Sequence, residues 1–235
     1  MIGRADVIAS AVSTSDLPTL SWPLPERNPF QGHSVRLEPL SPEHAGELWH
    51  STQQAEGTWD YLRYGPFASE SELLEQVMEL AGRTHQPFWA VRPESSGAAQ
   101  GWLSLCDVYP TDGAIEIGSI WFSPALQRTR AATEAIFLLM QYAMDELKYH
   151  RLVWRCVPAN QASMNAAARY GFTPEGIWRE SAFAKGRRWD AAWHSILATE
   201  WPARRAAIRS WLADQNFDEQ GRARTRLTQS DASRS

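Results

Sequence analysis

Residues 119 to 147, SIWFSPALQRTRAATEAIFLLMQYAMDEL, restrict the possible folds more than any other stretch of the chain. Ile120, Trp121 and Phe122 form a β-prone run, Ser123-Pro124 interrupts it, and Ile136, Met140, Ala143 and Leu147 then recur at helical spacing, with Phe137 and Met144 widening the stripe. A helix with so broad an apolar face needs a flat apolar partner, which a sheet supplies. Its start leaves backbone N–H groups without intrahelical acceptors, and the macrodipole adds about half a positive charge, so an anion is held there without lysines. Gln127, Arg128, Thr129, Arg130, Ala131 and Ala132 stand at that start and add further donors and two guanidinium groups. The junction is therefore a candidate phosphate site.

The rest of the chain bounds the class of protein. With 235 residues, 43% of them hydrophobic, it suits one sizeable core with trimmings at both ends better than two. A formal net charge of −4 argues against nucleic acid as the main partner, which would call for a positive field over much of the surface. Cys106 and Cys156 lie in apolar strand-like runs without metal-ligand spacing, so they read as small hydrophobes in a reducing compartment, and no metal site is expected. No run approaches the roughly 20 apolar residues of a membrane span, and the opening residues lack a secretory apolar region. The expectation is a soluble cytoplasmic protein with no membrane partner.

Residues 1 to 32 read as an extended arm, with prolines at 18, 23, 25 and 29 and with Trp22, Leu24 and Phe30 available to dock it. HSVRLEPL alternates as a first strand, Ser41-Pro42-Glu43 opens a helix to about residue 53, and Ser69 caps a second over 69 to 82. FWAVRP, QGWLSLCDVY and AIEIGSIWF, separated by turn chemistry, form an antiparallel meander ahead of the long helix. RLVWRCV gives another strand, Asn160 opens a short helix that Gly171 stops, and two strands over about 174 to 184 and 188 to 199 join at Gly186. A helix follows over 203 to 216, packed on the domain, and 217 to 235 read as a polar, disordered tail. Among the twelve tryptophans, Trp102, Trp121, Trp154, Trp178 and Trp193 fall within strands and are expected in the core.

WFSPALQRTRAATEA, followed by RLVWRCVPANQASMNAAARYGFTPEG and ending in WHSILATEWP, closely resembles the GNAT N-acetyltransferase superfamily, most of all the branch of the Rim-type ribosomal-protein N-terminal acetyltransferases. The resemblance covers residues 33 to 202 and implies a mixed α/β, α+β-type fold: a central, mostly antiparallel twisted sheet of about seven strands flanked by helices. It also implies acetyl-CoA as co-substrate, with its pantetheine arm along Trp121 and Phe122 and its diphosphate held by Gln127, Arg128, Thr129, Arg130, Ala131 and Ala132. Arg130 stands where the family pattern carries its first glycine, so its side chain must turn away or reach round to the ligand itself. Ala167 stands where many members carry a tyrosine that protonates the leaving thiolate. That role passes to Ser163, three residues after Asn160; both are also ordinary capping groups, and the resemblance implies that Asn160 and Ser163 contact the CoA as well.

Transfer to an amine demands a neutral nucleophile, so a base must take the ammonium proton. Glu116, on the strand face opposite Ile115 and Ile117, is the candidate, with His194 as a rival. Trp59, Tyr61 and Tyr64 form an aromatic wall for the acceptor or, equally, a plug closing the sheet, and Asp60 adds charge beside them. The expected activity is acetyl-CoA-dependent N-acetylation of a primary amine, on a protein N-terminus or a small molecule, by direct attack in a ternary complex. The alternatives are a CoA-binding sensor or assembly subunit without turnover, and a transferase using a different acyl-CoA. A homodimer is compatible with the sequence.

Overall fold

The computed structural model describes residues 21–53 and 55–227. The first 20 residues of the expected arm and the last eight of the expected tail lie outside them. Eight strands, β1 (Phe30–Gln31), β2 (Val35–Pro39), β3 (Phe88–Pro93), β4 (Gly101–Tyr109), β5 (Ala114–Phe122), β6 (Arg151–Cys156), β7 (Thr173–Ala184) and β8 (Arg187–Leu197), form one sheet in the order β1-β2-β3-β4-β5-β6-β8-β7. Every neighbouring pair is antiparallel except β5 and β6. The eighth strand is β1, inside the segment expected as an arm. Phe30 anchors it by packing on Tyr142 and Trp89, and Trp22 docks on His150 and donates to the Lys148 carbonyl, whereas Leu24 stays exposed.

Alternation along the strands builds two cores. Val35, Leu37, Trp89, Val91, Leu103, Leu105, Ile115 and Ile117 face the long helix α3 (Arg130–Gln141), while Leu40, Phe88, Ala90 and Trp102 face the pair α1 (Ala45–Thr52) and α2 (Glu70–Gly82). One turn of 3-10 helix, Pro42–His44, leads into α1, and a π-helical turn, Tyr142–Glu146, extends α3. Two further helices, α4 (Gln161–Tyr170) and α5 (Trp201–Leu212), follow β6 and β8. Ser69 caps α2 by accepting from the Glu72 amide, and Gly171, at a φ of 88°, ends α4 in the left-handed region that a Cβ disfavours.

Residues 213–227 fold back over the start of α3. Phe217 bridges to Ala223, and Leu227 is buried in the α3 core, so the part of the polar segment up to Leu227 is packed rather than loose. The strand tryptophans divide as well. Trp102, Trp121 and Trp154 are buried, but Trp178, on the edge strand, is 60% exposed.

Candidate active site

Two irregularities in β5 create the site. The parallel pair with β6 runs only through Ala114↔Arg151, Ile115↔Leu152 and Glu116↔Val153, after which the two strands diverge. On its other side β5 pairs Gly118 with Ser104 but Trp121 with Trp102, so it carries one residue more than β4 between these pairs. Ser119 sits in that bulge at a φ of 50°. The extra residue switches the faces: Ile115 and Ile117 point to α3, whereas Trp121 points to the α1–α2 side and stacks on Trp59 at 4.5 Å. Between the parted strands lies a cleft of about 1130 Å³ that reaches from the start of α3 and α4 to the outer strands β7 and β8.

At the α3 end, Thr129 caps the helix, its Oγ1 accepting from the Ala132 amide at 3.0 Å. Arg128 enters the loop at a φ of 62°, and Gln127 Nε2 donates to the Phe122 carbonyl at 2.9 Å, tying the loop to the end of β5. Among the described residues, the amides of Arg128, Arg130 and Ala131 have no protein acceptor. Ala131 and Ala132 bury their methyl groups in the α3 core, so only backbone and small side chains stand at the helix start. The Arg130 guanidinium has turned away from it: it donates to the Leu212 carbonyl and to Asp214 at 2.6 Å, and it lies over the Phe217 ring at 4.5 Å. Its share in an anion site is confined to its backbone N–H.

On the β6 side, Asn160 accepts from the Ser163 amide at 3.1 Å and so caps α4. Ser163 Oγ accepts the Trp154 indole N–H at 3.0 Å and faces the cleft with its own proton to give. Ala167, in the position of the family tyrosine, is buried in the α3 core.

Glu116 lies where the strands part, only 6% exposed. Gly118 makes room for its carboxylate, since a Cβ there would come within 2.8 Å of Glu116 Oε1 and 2.9 Å of Cys106 Sγ. Arg155 of β6 donates to Glu116 and to Asp107, and its guanidinium lies 4.8 Å from the Trp193 ring centroid. Burial pushes the Glu116 carboxyl up to about 7, with Arg155 pulling against it and Asp107 adding to the rise. Burial likewise raises the thiol of Cys106 well above its ordinary range and, less far, that of Cys156, so both remain protonated. His194 is buried, paired in the ladder with Trp154 and Pro174, and is not among the residues lining the cleft.

The aromatic wall divides. Trp59, 2% exposed, is locked in the α1–α2 core by Trp121, Trp102 and Phe67 and is a plug. Tyr64 lines the cleft, accepts from Trp102 Nε1 at 3.0 Å and donates to the Ser119 carbonyl at 3.5 Å. Tyr61 reaches across the opening, donating to the Ala159 carbonyl at 3.2 Å and meeting Trp189 edge-on at 5.9 Å. Lys185, at the β7–β8 turn, donates to the Trp59 carbonyl at 2.7 Å and closes the same side.

Arg155, Asp107, Gln86 and Ser119 are among the cleft residues that the sequence does not single out. Arg155 was within reach, because alternation along RLVWRCV sets it opposite Leu152 and Trp154. Asp107, Gln86 and Ser119 carry no local signal, since a bulge and a loop place them. Gln86 Nε2 donates to Ser104 Oγ at 3.0 Å and Ser119 Oγ at 2.9 Å, fastening the bulge from outside. Among the described residues no group of acidic, histidine or cysteine side chains could hold a metal ion, and no helix is long and apolar enough to cross a membrane.

A family model for the acetyltransferase (GNAT) domain matches residues 34–173. A solved GCN5-related N-acetyltransferase from Brucella melitensis is similar in structure, with a TM-score of 0.86 and 41% identity over 88% of this chain and 96% of that one. YdaF of Bacillus subtilis (strain 168), provisionally named a ribosomal N-acetyltransferase, is 26% identical over 167 residues, 70% of this chain and 90% of YdaF. The ribosomal L7/L12 alpha-N-protein acetyltransferase RimL shares the fold, with a TM-score of 0.60 and 21% identity over 71% of this chain and 91% of its own.

Proposed function

Since the chain belongs to the GNAT acetyltransferase family, we propose that it transfers an acetyl group from acetyl-CoA to a primary amine, the amine attacking directly within a ternary complex. The observation that carries this is the parting of β5 from β6 immediately beyond Glu116, which opens a cleft between a buried carboxyl group and the unpartnered amides at the start of α3. The residues at the cleft suit the co-substrate. Amides of Arg128, Arg130 and Ala131 offer the diphosphate a cradle of donors at the positive end of the helix. The edge of β5 from Ile117 to Phe122, free of β6, offers ladder hydrogen bonds to the amide-bearing pantetheine arm.

Acetyl-CoA supplies an acetyl group activated as a thioester. Glu116, held near 7 by burial, takes the proton from the incoming ammonium at neutral pH, and Arg155 steadies the carboxylate. Ser163, whose oxygen is engaged by Trp154, directs its own hydrogen to the departing sulfur and lowers the cost of the thiolate. Cys106 and Cys156, both free and protonated, have no part as nucleophiles, which fits direct attack without an acyl-enzyme. The test is release of CoA thiol from acetyl-CoA in the presence of amines, peptides and polyamines. Release above background with at least one acceptor supports the assignment; background release with all of them refutes it. Running succinyl-CoA and longer acyl-CoAs alongside fixes the acyl group.

A further inference from the structure

Past Glu116 the cleft continues over the outer strands, and there its lining becomes apolar. Trp178, Ala182 and Ala184 of β7 and Trp189, Ala191 and Trp193 of β8 share one face of the sheet and line it. The register accounts for this: Trp178 pairs with Ala191 and Ala182 with Trp189, so the irregularity between these pairs sets three residues of β7 against one of β8 and leaves both ends on the same face. Ile177 and Phe183, on alternate positions, serve the opposite face. Three alanines and three tryptophans therefore line this part of the cleft, with the Arg187 guanidinium 4.4 Å from the centroid of the buried Trp189 ring.

The groove joins the reactive end of the cleft directly. Trp178 packs on Trp193 at 4.3 Å, Trp193 lies under the Arg155 guanidinium, and Arg155 holds Glu116. Tyr61, edge-on to Trp189, covers the groove from above, and the Arg155–Asp107 ion pair stands at the end of the groove nearest Glu116. Trp178 nevertheless leaves 60% of its surface in water, an unusual cost for so large a ring unless a ligand covers it.

Resting on the acetyl-transfer assignment above, we infer that this groove receives the side group of the acceptor. The substrate class is then a primary amine with an aromatic or branched aliphatic group beside it, as distinct from a polyamine or an amino sugar. A peptide whose first residue is apolar and a free arylalkylamine share this chemistry.

The full chain is assayed with acetyl-CoA and matched acceptors: phenethylamine and isoamylamine against ethanolamine and spermidine, and tetrapeptides beginning with Phe or Leu against Gly or Ser. The expected result is a kcat/KM at least about tenfold higher for the apolar member of each pair, a ratio that Trp178→Ala lowers about tenfold and Trp178→Phe keeps. Comparison of the two arms shows whether the natural source is a peptide or a small amine. Equal rates within pairs, or a ratio untouched by Trp178→Ala, overturn the inference while leaving acetyl transfer standing. Calorimetric titration with phenethylamine in the presence of CoA separates the two claims: binding that Trp178→Ala abolishes supports the groove even if no amine is acetylated, and absence of binding together with absence of turnover removes it.

Discussion

Glu116 shows how much one side chain owes to its surroundings. A carboxyl group that ordinarily titrates at 4.5 is raised to about 7 because the sheet removes its water, and Arg155 offsets only part of that cost. Its proton is bound more tightly in the folded chain than in the unfolded one, so between pH 4.5 and 7 folding stability falls as pH rises. The loss amounts to about 3 kcal/mol from this group alone. Glu38, Glu47 and Glu175 act in the opposite sense, their carboxyls lowered below 4.5, and add stability only as pH rises through that lower range. Glu116→Gln is therefore expected to flatten urea-unfolding stability between pH 5 and 7 and to lower kcat about 100-fold or more, with loss of an acid limb near pH 7. An unchanged pH–rate profile in that variant removes the base role. Ser163→Ala is expected to lower kcat about tenfold while acetyl-CoA affinity changes little, because the Asn160 cap and the α3 start remain. Isothermal titration with acetyl-CoA alongside turnover makes that distinction.

At the scale of elements, the β5 bulge and the α3 start do most to shape the site. Gln86 and Tyr64 grip Ser119 from outside the sheet, one at the hydroxyl and one at the carbonyl, so the point where β5 changes face is fixed by residues distant in sequence. Gln86→Leu leaves the Ser104 and Ser119 hydroxyls without this donor, at a cost of about 1 to 3 kcal/mol in urea unfolding. It is expected to reduce kcat more than it raises the KM for acetyl-CoA; equal effects on both would deny the bulge a catalytic part. Arg130 makes a second contrast. Because its guanidinium holds Leu212, Asp214 and Phe217, Arg130→Ala is expected to loosen the C-terminal segment to limited proteolysis and to leave acetyl-CoA affinity within about twofold. Thr129→Ala removes the cap and should cost about 1 kcal/mol of stability.

For the molecule as a whole, one sheet divides two cores, and the cleft opens where the sheet itself comes apart. Residues 213–227 complete the α3 side through Phe217 and Leu227, so a chain ending at Leu212 is expected to unfold at lower urea than one ending at Leu227. Much of this architecture is written locally. The alternation in FWAVRP, QGWLSLCDVY and AIEIGSIWF, the caps at Ser69 and Asn160, and the apolar stripe of α3 depend on short-range periodicity and turn chemistry, and these specify strands, helices and their order. The family motifs likewise mark both helix starts that flank the cleft. Local pattern does not report which face of an edge strand meets water, whether an arginine at a helix start turns in or out, or which partner a buried acid finds. Trp178, read as a core strand residue, stands in an open groove, whereas Trp59, which could have lined the acceptor side, is locked in a cluster with Phe67, Trp102 and Trp121. The sequence by itself determined the fold and nearly all of its elements, β1 excepted. Tertiary structure alone decided the direction of Arg130, the Glu116–Arg155–Asp107 cluster and the apolar groove on β7 and β8, because each arises from strands and loops that meet only after the sheet has bulged, parted and packed.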